Sequence, residues 1–243
     1  MSNQQLLEAK EISLTQEQIA SAAEQFEHAS PQELLRYGLE TFGNTIALAC
    51  SFGAEDVVLV DMLMKINPSA KIFYLDTDVL FPETYAVRDA IIERYQPQQL
   101  IQYSPLLSLQ EQKAQYGAEL WGFDPNSCCN IRKVEPLERA LLPLKAWITG
   151  IRRDQAPTRA NAKVVESDQR FRLVKLNPLA SWTNEQVWDY IKENNVPYNV
   201  LHDQGYPSIG CIHCTRQVKP GEDPRAGRWA GFQKTECGLH MKN

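Results

Sequence analysis

Five of the six cysteines fall in three short groups: the adjacent pair Cys128-Cys129, the Cys211-Ile212-His213-Cys214 pair, and Cys237 near the C-terminus. Four thiolates in two tight pairs are a ligand set for a metal centre. Cys-x-x-Cys turns two sulfurs to one side of a turn, which suits two ligands of one centre. Adjacent cysteines diverge, so they reach different corners of a larger cluster more easily than they share one small ion. An iron–sulfur cubane therefore fits better than tetrahedral zinc; structural zinc, a vicinal disulfide and buried inert thiols are the alternatives. Cys237 stands apart, flanked by Lys234, Glu236 and His240. Nearby cations lower a thiol pKa, and a terminal tail can carry a nucleophile to a buried substrate. An incidental thiol on a frayed end is the competing reading. Cys50, inside an apolar run, reads as a packed core thiol. A ligand set plus a separate nucleophile points to redox chemistry on a small molecule.

The chain of 243 residues is long enough for one large α/β domain or two small ones. Its composition, 43% hydrophobic and 23% charged, is that of a globular protein. No stretch approaches a membrane span, and the N-terminus lacks the basic-then-apolar order of a signal peptide. The expectation is a cytoplasmic protein with no membrane partner, whose thiols stay reduced. A net charge of −5 argues against a nucleic-acid partner. Basic residues nevertheless cluster, first Arg152, Arg153 and Arg159, then Arg216, Lys219, Arg225 and Arg228. Such a patch on an acidic chain suits an anionic small substrate, against the plainer reading of a solvated face.

The elements that must position these groups alternate. The first fourteen residues are polar and read as loose. Capping boxes at Thr15 and Ser30 open helices to about Ala29 and Phe42. Residues 45–50, 71–75, 99–103 and 146–149 are short apolar runs of the kind found in buried parallel strands, and 172–176 is a candidate fifth. Helical patterns lie between them at 54–65, 82–95, after Ser108, and at 131–142 despite Pro136; a further capping box starts at Thr183. Strands alternating with helices imply an α/β fold, a parallel sheet with helices on both faces. From about Pro197 the chain is rich in Gly, Pro and charge and reads as an irregular segment carrying function. The expected division is an N-terminal helical extension (1–43), a nucleotide-binding α/β domain (44–196), and a cluster-binding segment with a catalytic tail (197–243). Ser51-Phe52-Gly53-Ala54-Glu55-Asp56 joins a strand to a helix, where backbone N–H groups can hold a phosphate or sulfate. It is neither a Walker A loop nor G-x-G-x-x-G, and an ordinary βα turn explains it as well. Asp76-Thr77-Asp78 is a second polar cluster at the same edge.

Taken in order, these segments resemble one family. They are the loop from Ser51 to Asp61, Leu75-Asp76-Thr77, the run from Cys128 to Leu137, the run from Thr149 to Gln155, Gly210 to Arg216, Arg225-Ala226-Gly227-Arg228-Trp229, and Glu236 to His240. The chain resembles assimilatory adenylyl-sulfate (APS) reductases, the iron–sulfur branch of the phosphoadenylyl-sulfate (PAPS) reductase family. The resemblance implies an adenine-nucleotide alpha-hydrolase-like (PP-loop) fold, with the Ser51 loop a diverged relative of the pyrophosphate loop of ATP-dependent enzymes. It implies that Cys128, Cys129, Cys211 and Cys214 hold a [4Fe–4S] cluster. It implies that Cys237 attacks the sulfate sulfur of APS, that AMP leaves, and that thioredoxin or a glutaredoxin-like dithiol releases sulfite from the resulting Cys S-sulfonate. Substrate contacts carried over are Ser51, Phe52, Gly53, Leu75, Thr77, Lys133, Arg153, Arg159, Arg225, Arg228 and His240. All four cluster cysteines favour APS; PAPS or dual specificity is the alternative, and a homo-oligomer is compatible. Two other readings are an ATP-dependent sulfurtransferase on the same nucleotide fold and a metal-bearing sensor without turnover. Phe52 and Ala54 in the loop speak against the first, and a fifth thiol in Glu236-Cys237-Gly238 against the second.

Overall fold

The protein is described here from a computed structural model, which covers residues 3–234 together with Gly238 and Leu239. Cys237 and His240 lie outside the described residues. The apolar runs become a six-stranded sheet of β1 (Ile46–Ala49), β2 (Lys71–Leu75), β3 (Leu100–Tyr103), β4 (Ala146–Ile148), β5 (Val165–Asp168) and β6 (Leu173–Leu176), in the order β3-β2-β1-β4-β6-β5. All neighbours pair in parallel except β5, which runs antiparallel to β6 at one edge. Connections leave β1 and β4 in opposite directions along the sheet, so the loops after these strands part at their carboxyl ends. That is where open α/β sheets bind ligands.

Alternation along the strands divides the core between the two faces. Ile46 and Leu48 of β1, Ile72 and Tyr74 of β2, and Val174 and Leu176 of β6 join one cluster, under α2 (Gln16–Phe26), α3 (Pro31–Phe42), α4 (Ala54–Ile66), α5 (Pro82–Tyr95) and α9 (Asn184–Glu193). Ala47, Phe73, Trp147 and Leu173 face the other way, under α1 (Asn3–Glu8) and α8 (Glu135–Leu141). The capping boxes at Thr15, Ser30, Ser108 and Thr183 all form. Helix α4 is buried on nearly every side, as its lack of a polar face requires. The more deeply buried of its two buried acids, Asp61, accepts hydrogen bonds from Tyr95 (2.8 Å) and Tyr190 (2.6 Å) and pairs with Lys65 at 2.7 Å. A carboxylate so satisfied ties α4 to α5 and α9.

The structure departs from the sequence expectation in three places. The first residues are not loose: α1 buries Leu7, and the Lys10 ammonium donates to the carbonyls of Leu141, Leu142 and Leu144, closing the C-terminal end of α8. Strand β5 was not foreseen. It carries polar residues because it lies at an edge, and only Val165 is buried. The helix expected at 131–142 begins earlier and is not uniform. It starts with α7 (Pro125–Cys129), capped by the Asp124 carboxylate, widens into a π turn over Asn130–Val134, and continues as α8. Pro136 has no N–H to return to the Arg132 carbonyl, and the chain accommodates it with an i→i+5 bond from Glu135 N to Asn130 O. Beyond Val196 the described chain forms only short 3-10 turns and isolated bridges, Leu80 to Cys211 and Thr215 to Arg228. No helix among the described residues is long and apolar enough to cross a membrane.

Candidate functional site

The crevice at the carboxyl ends of β1, β2 and β4 opens into a cavity of about 700 Å³. Such a volume suits a nucleotide-sized ligand. Its floor is the Ser51 loop. Phe52 is held in the left-handed region (φ 61°), buried, with its ring tilted against Tyr74 at 5.2 Å. A bulky residue there is strained, and the strain sits at the cavity rather than elsewhere. Gly53 ends the loop, and α4 begins at Ala54, so that Ala54, Glu55 and Asp56 of its first turn line the cavity. Asp56 closes the loop on itself: its Oδ2 accepts from both the N–H and the hydroxyl of Ser51, each at 2.6 Å. Gly150, after β4, must lack a side chain, because a Cβ there would stand 2.4 Å from Asp56 Oδ1.

Burial pushes the Asp56 carboxyl up to about 6, against the pull of the two Ser51 bonds. The folded-state value is the higher one, so between about pH 4 and 6 the folded protein binds a proton that the unfolded chain does not. The contribution of Asp56 to stability therefore falls as pH rises through that window. Asp56→Asn is expected to flatten this part of the stability profile, read as melting temperature against pH for both proteins. A profile that keeps its slope in the variant would refute the assignment.

The opposite wall is cationic. Lys133, Arg159, Arg225 and Arg228 line the cavity, as do Ser51, Phe52, Gly53, Leu75 and Thr77. Arg228 is placed by its neighbours. Its guanidinium lies over the Trp229 ring at 4.6 Å and donates to Ser208 Oγ and Ile209 O at 3.2 Å. Gly210 leaves it room, since a Cβ there would come within 2.2 Å of Nη2. Its buried Nε has no hydrogen-bond partner among the described residues. Arg153 is the exception to the expected contacts. It does not line the cavity but turns away to α2, forming a two-pronged pair with Glu27 at 2.6 and 2.9 Å and donating to Ala162 O. Arg152 takes the inward place instead, with its Nε 2.8 Å from Glu55 and a second pair to Asp154. Adjacent residues on extended chain point to opposite sides, and sequence alone did not say which one faced in. Arg216, part of the basic patch, is a surface pair with Glu222.

Cys128, Cys129, Cys211 and Cys214 line one small cavity behind that wall. The first pair is at the end of α7; the second brackets a 3-10 turn rather than the helical turn expected. Among the described residues no group of three or more His, Cys, Asp or Glu side chains is set to share a single metal ion. The four cysteines nevertheless share the lining of that one cavity. Burial, aided by the neighbouring thiols, pushes Cys128 up to about 12 and Cys214 up to about 11. Thiols so raised stay protonated at neutral pH unless a bound cation offsets their charge. Lys133, Arg228 and Trp229 line both cavities. Cys50 is packed in the core, its thiol raised well above the usual range by burial.

Two residues at this junction escaped the sequence reading. Arg132, almost wholly buried, donates to Gln112 Oε1, Thr77 O, Asp78 Oδ2 and Leu107 O. It fastens the π turn to the loop after β2, where Thr77 Oγ1 lies 3.3 Å from Cys211 Sγ. His213 stacks on Trp121 with ring centres 4.1 Å apart. Only the position of Arg132 beside Lys133 pointed to the first, and nothing local pointed to the second.

Residues 45–217 match the model of the phosphoadenosine phosphosulfate reductase domain. The chain belongs to this family. It is 51% identical over 209 residues to the adenosine 5'-phosphosulfate reductase of Staphylococcus haemolyticus, covering 86% of each chain. It is 48% identical over 231 residues to the phosphoadenosine 5'-phosphosulfate reductase of Gloeobacter violaceus, covering 94% of this chain and 96% of that one. A solved phosphoadenylyl-sulfate reductase from Candida auris, a phosphate complex, superposes with TM-score 0.76 at 36% identity, covering 86% of this chain and all of that one. The fold is also that of an FMN adenylyltransferase from Candida glabrata (TM-score 0.56, 16% identity; 91% of this chain and 74% of that one).

Proposed function

We propose that the protein is an adenylyl-sulfate reductase, converting APS and a dithiol into sulfite, AMP and a disulfide in assimilatory sulfate reduction and cysteine biosynthesis. The observation that carries this reading is the cavity itself: a loop sized for a nucleotide faces cations that also line the four-thiol site. The thiolate of Cys237 attacks the sulfate sulfur; the bond from sulfur to the bridging oxygen breaks, and AMP leaves with that oxygen. The S-sulfonate is then attacked at the Cys237 sulfur by a thiolate of thioredoxin or a glutaredoxin-like protein. Sulfite departs with the bonding electron pair, and the second thiol of the reductant frees Cys237. Two electrons pass from dithiol to sulfur, and none is required of a metal.

Anion attacking anion demands concentrated positive charge. Lys133, Arg159, Arg225 and Arg228, with His240, would face the phosphosulfate, and arginine forks match tetrahedral oxyanions. Leu75 and Thr77 would meet the adenosine end, with Ser51, Phe52 and Gly53 beneath. Cys128, Cys129, Cys211 and Cys214 would hold a [4Fe–4S] cluster, which would supply fixed charge and structural order beside the cations. Lys133→Ala is expected to lower kcat about 10²–10³-fold, the scale of one lost oxyanion donor, with AMP affinity nearly unchanged. Equal losses in kcat and AMP binding would remove its transition-state role.

APS is favoured over PAPS by the four-cysteine set and by the names of relatives near 50% identity. The Gloeobacter relative, named for the 3'-phosphorylated nucleotide, supports dual use as the second reading. The deciding experiment is sulfite release from each nucleotide with reduced thioredoxin. A kcat/KM at least tenfold higher for APS is expected; parity establishes dual use, and no sulfite from either nucleotide defeats the proposal.

A further inference from the structure

Three arginines follow β4, and they are held in different ways. Carboxylates hold the first two: Arg152 meets Glu55 and Asp154, and Arg153 meets Glu27. Such partners fix a guanidinium but offset its charge. Arg159, which lines the cavity, donates from Nη1 to Oε1 of Gln155 at 2.6 Å. That bond places no negative charge beside it.

The other contacts of Gln155 make it a brace. Its Oε1 also accepts from the main-chain N–H of Arg152 at 3.0 Å, and its Nε2 donates to the main-chain oxygen of Gly150 at 3.2 Å. Two N–H donors on one side and a carbonyl on the other fix which end of the amide faces which. Both lone pairs of Oε1 are thereby taken, with one of the two amide hydrogens. Gln155 lines the cavity, yet most of its bonding capacity goes to the protein. A glutamate could not replace it, since the Gly150 oxygen would then face an acceptor with no proton between them.

The backbone shows what the brace is for. Gln155 ends one 3-10 turn (Arg153–Gln155) and Arg159 ends a second (Pro157–Arg159), with Ala156 extended between them at φ −167° and ψ 152°. The side-chain bond spans that break in the helical chain. The charge of Arg159 reaches Asp56 in the nucleotide loop and Lys175 on β6. A long side chain loses rotamer freedom when it meets an anion, and one already held loses less.

We propose that Gln155 is a positioning residue, a neutral brace that holds the Arg159 guanidinium for the anionic end of the ligand without offsetting its charge. This rests on the reading of Arg159 as a phosphosulfate contact. The test uses ADP, which has a phosphate where APS has its sulfate and cannot yield sulfite. Binding to the holoprotein is measured by calorimetry. Arg159→Ala is expected to weaken ADP binding about a hundredfold and Gln155→Ala about tenfold, the scale of hydrogen bonds to charged groups. The double variant is expected to be no weaker than Arg159→Ala alone, because the brace acts only through Arg159. Gln155→Glu offers Arg159 an acceptor but adds a charge, and is expected to bind ADP no better than Gln155→Ala. If the alanine variant fails to fold, the glutamate variant decides alone. Losses that add in the double variant, or a Gln155→Glu protein that binds ADP as tightly as wild type, overturn the brace. A wild type without measurable affinity for ADP overturns both the brace and the reading beneath it. Coupled losses in ADP binding, with no sulfite from APS in the wild type, keep the brace and remove the chemical reading instead.

Discussion

Cys237→Ser is expected to abolish sulfite formation, with a loss of at least ~10⁴-fold, while leaving in place any visible colour of the protein and its affinity for AMP. In the proposed mechanism the thiolate is the attacking group, and a serine hydroxyl at neutral pH offers almost no alkoxide to replace it. Nothing else in the proposed site depends on that sulfur: the nucleotide loop, the cationic wall and the four-thiol cavity are built from residues 51–229. The measurement that isolates the step is mass spectrometry after mixing wild type with APS in the absence of reductant. An added SO₃ on the peptide containing Cys237 is expected, and none in the variant. Cys50 is the natural internal control, since it is buried and its thiol is held protonated. The adduct on any other cysteine, or undiminished turnover in the variant, ends the proposed mechanism.

Much of the fold was legible because the signals were local. The four capping boxes form as read, and a helix interior without a polar stripe, as in α4, could only be buried. The parallel order followed from strands alternating with helices. What escaped was set by tertiary contact. β5 exists because β6 offers it an edge, and its Val165-Glu166-Ser167-Asp168 has no strand pattern of its own. The N-terminal residues look polar, yet Leu7 is buried and Lys10 finds three carbonyls at and just beyond the C-terminal end of α8. At the site, the loop, Leu75, Thr77, Lys133, Arg159, Arg225 and Arg228 do line one cavity: most end or follow a strand or belong to the irregular C-terminal segment, and Lys133 comes from the π turn before α8. Arg153 does not: it pairs with Glu27, just after α2, and Arg152 occupies the inward position. No reading of one basic pair could choose between them.

The second large effect concerns the thiol pairs. Cys211→Ser is expected to yield protein with little or no bound iron, no visible absorption and at least ~10³-fold less activity. The sheet core nevertheless stays folded, since the two apolar clusters do not include these cysteines. The argument is electrostatic. Arg132, Lys133 and Arg228 surround the small cavity. An anionic cluster bound there would give these cations a counter-charge and a fixed geometry. Without it they would repel one another, and the arrangement proposed to face the substrate would be lost. Thr77 adds a direct tie, for its hydroxyl contacts Cys211 Sγ while its side chain lines the nucleotide cavity. Iron analysis, absorption and far-ultraviolet circular dichroism on anaerobically purified protein separate the outcomes. Loss of iron and activity with near-native secondary structure is the expected combination. A colourless wild type carrying zinc, or a variant without iron that reduces APS at the wild-type rate, removes the cluster from this account and returns the four cysteines to a structural metal or to inert packing.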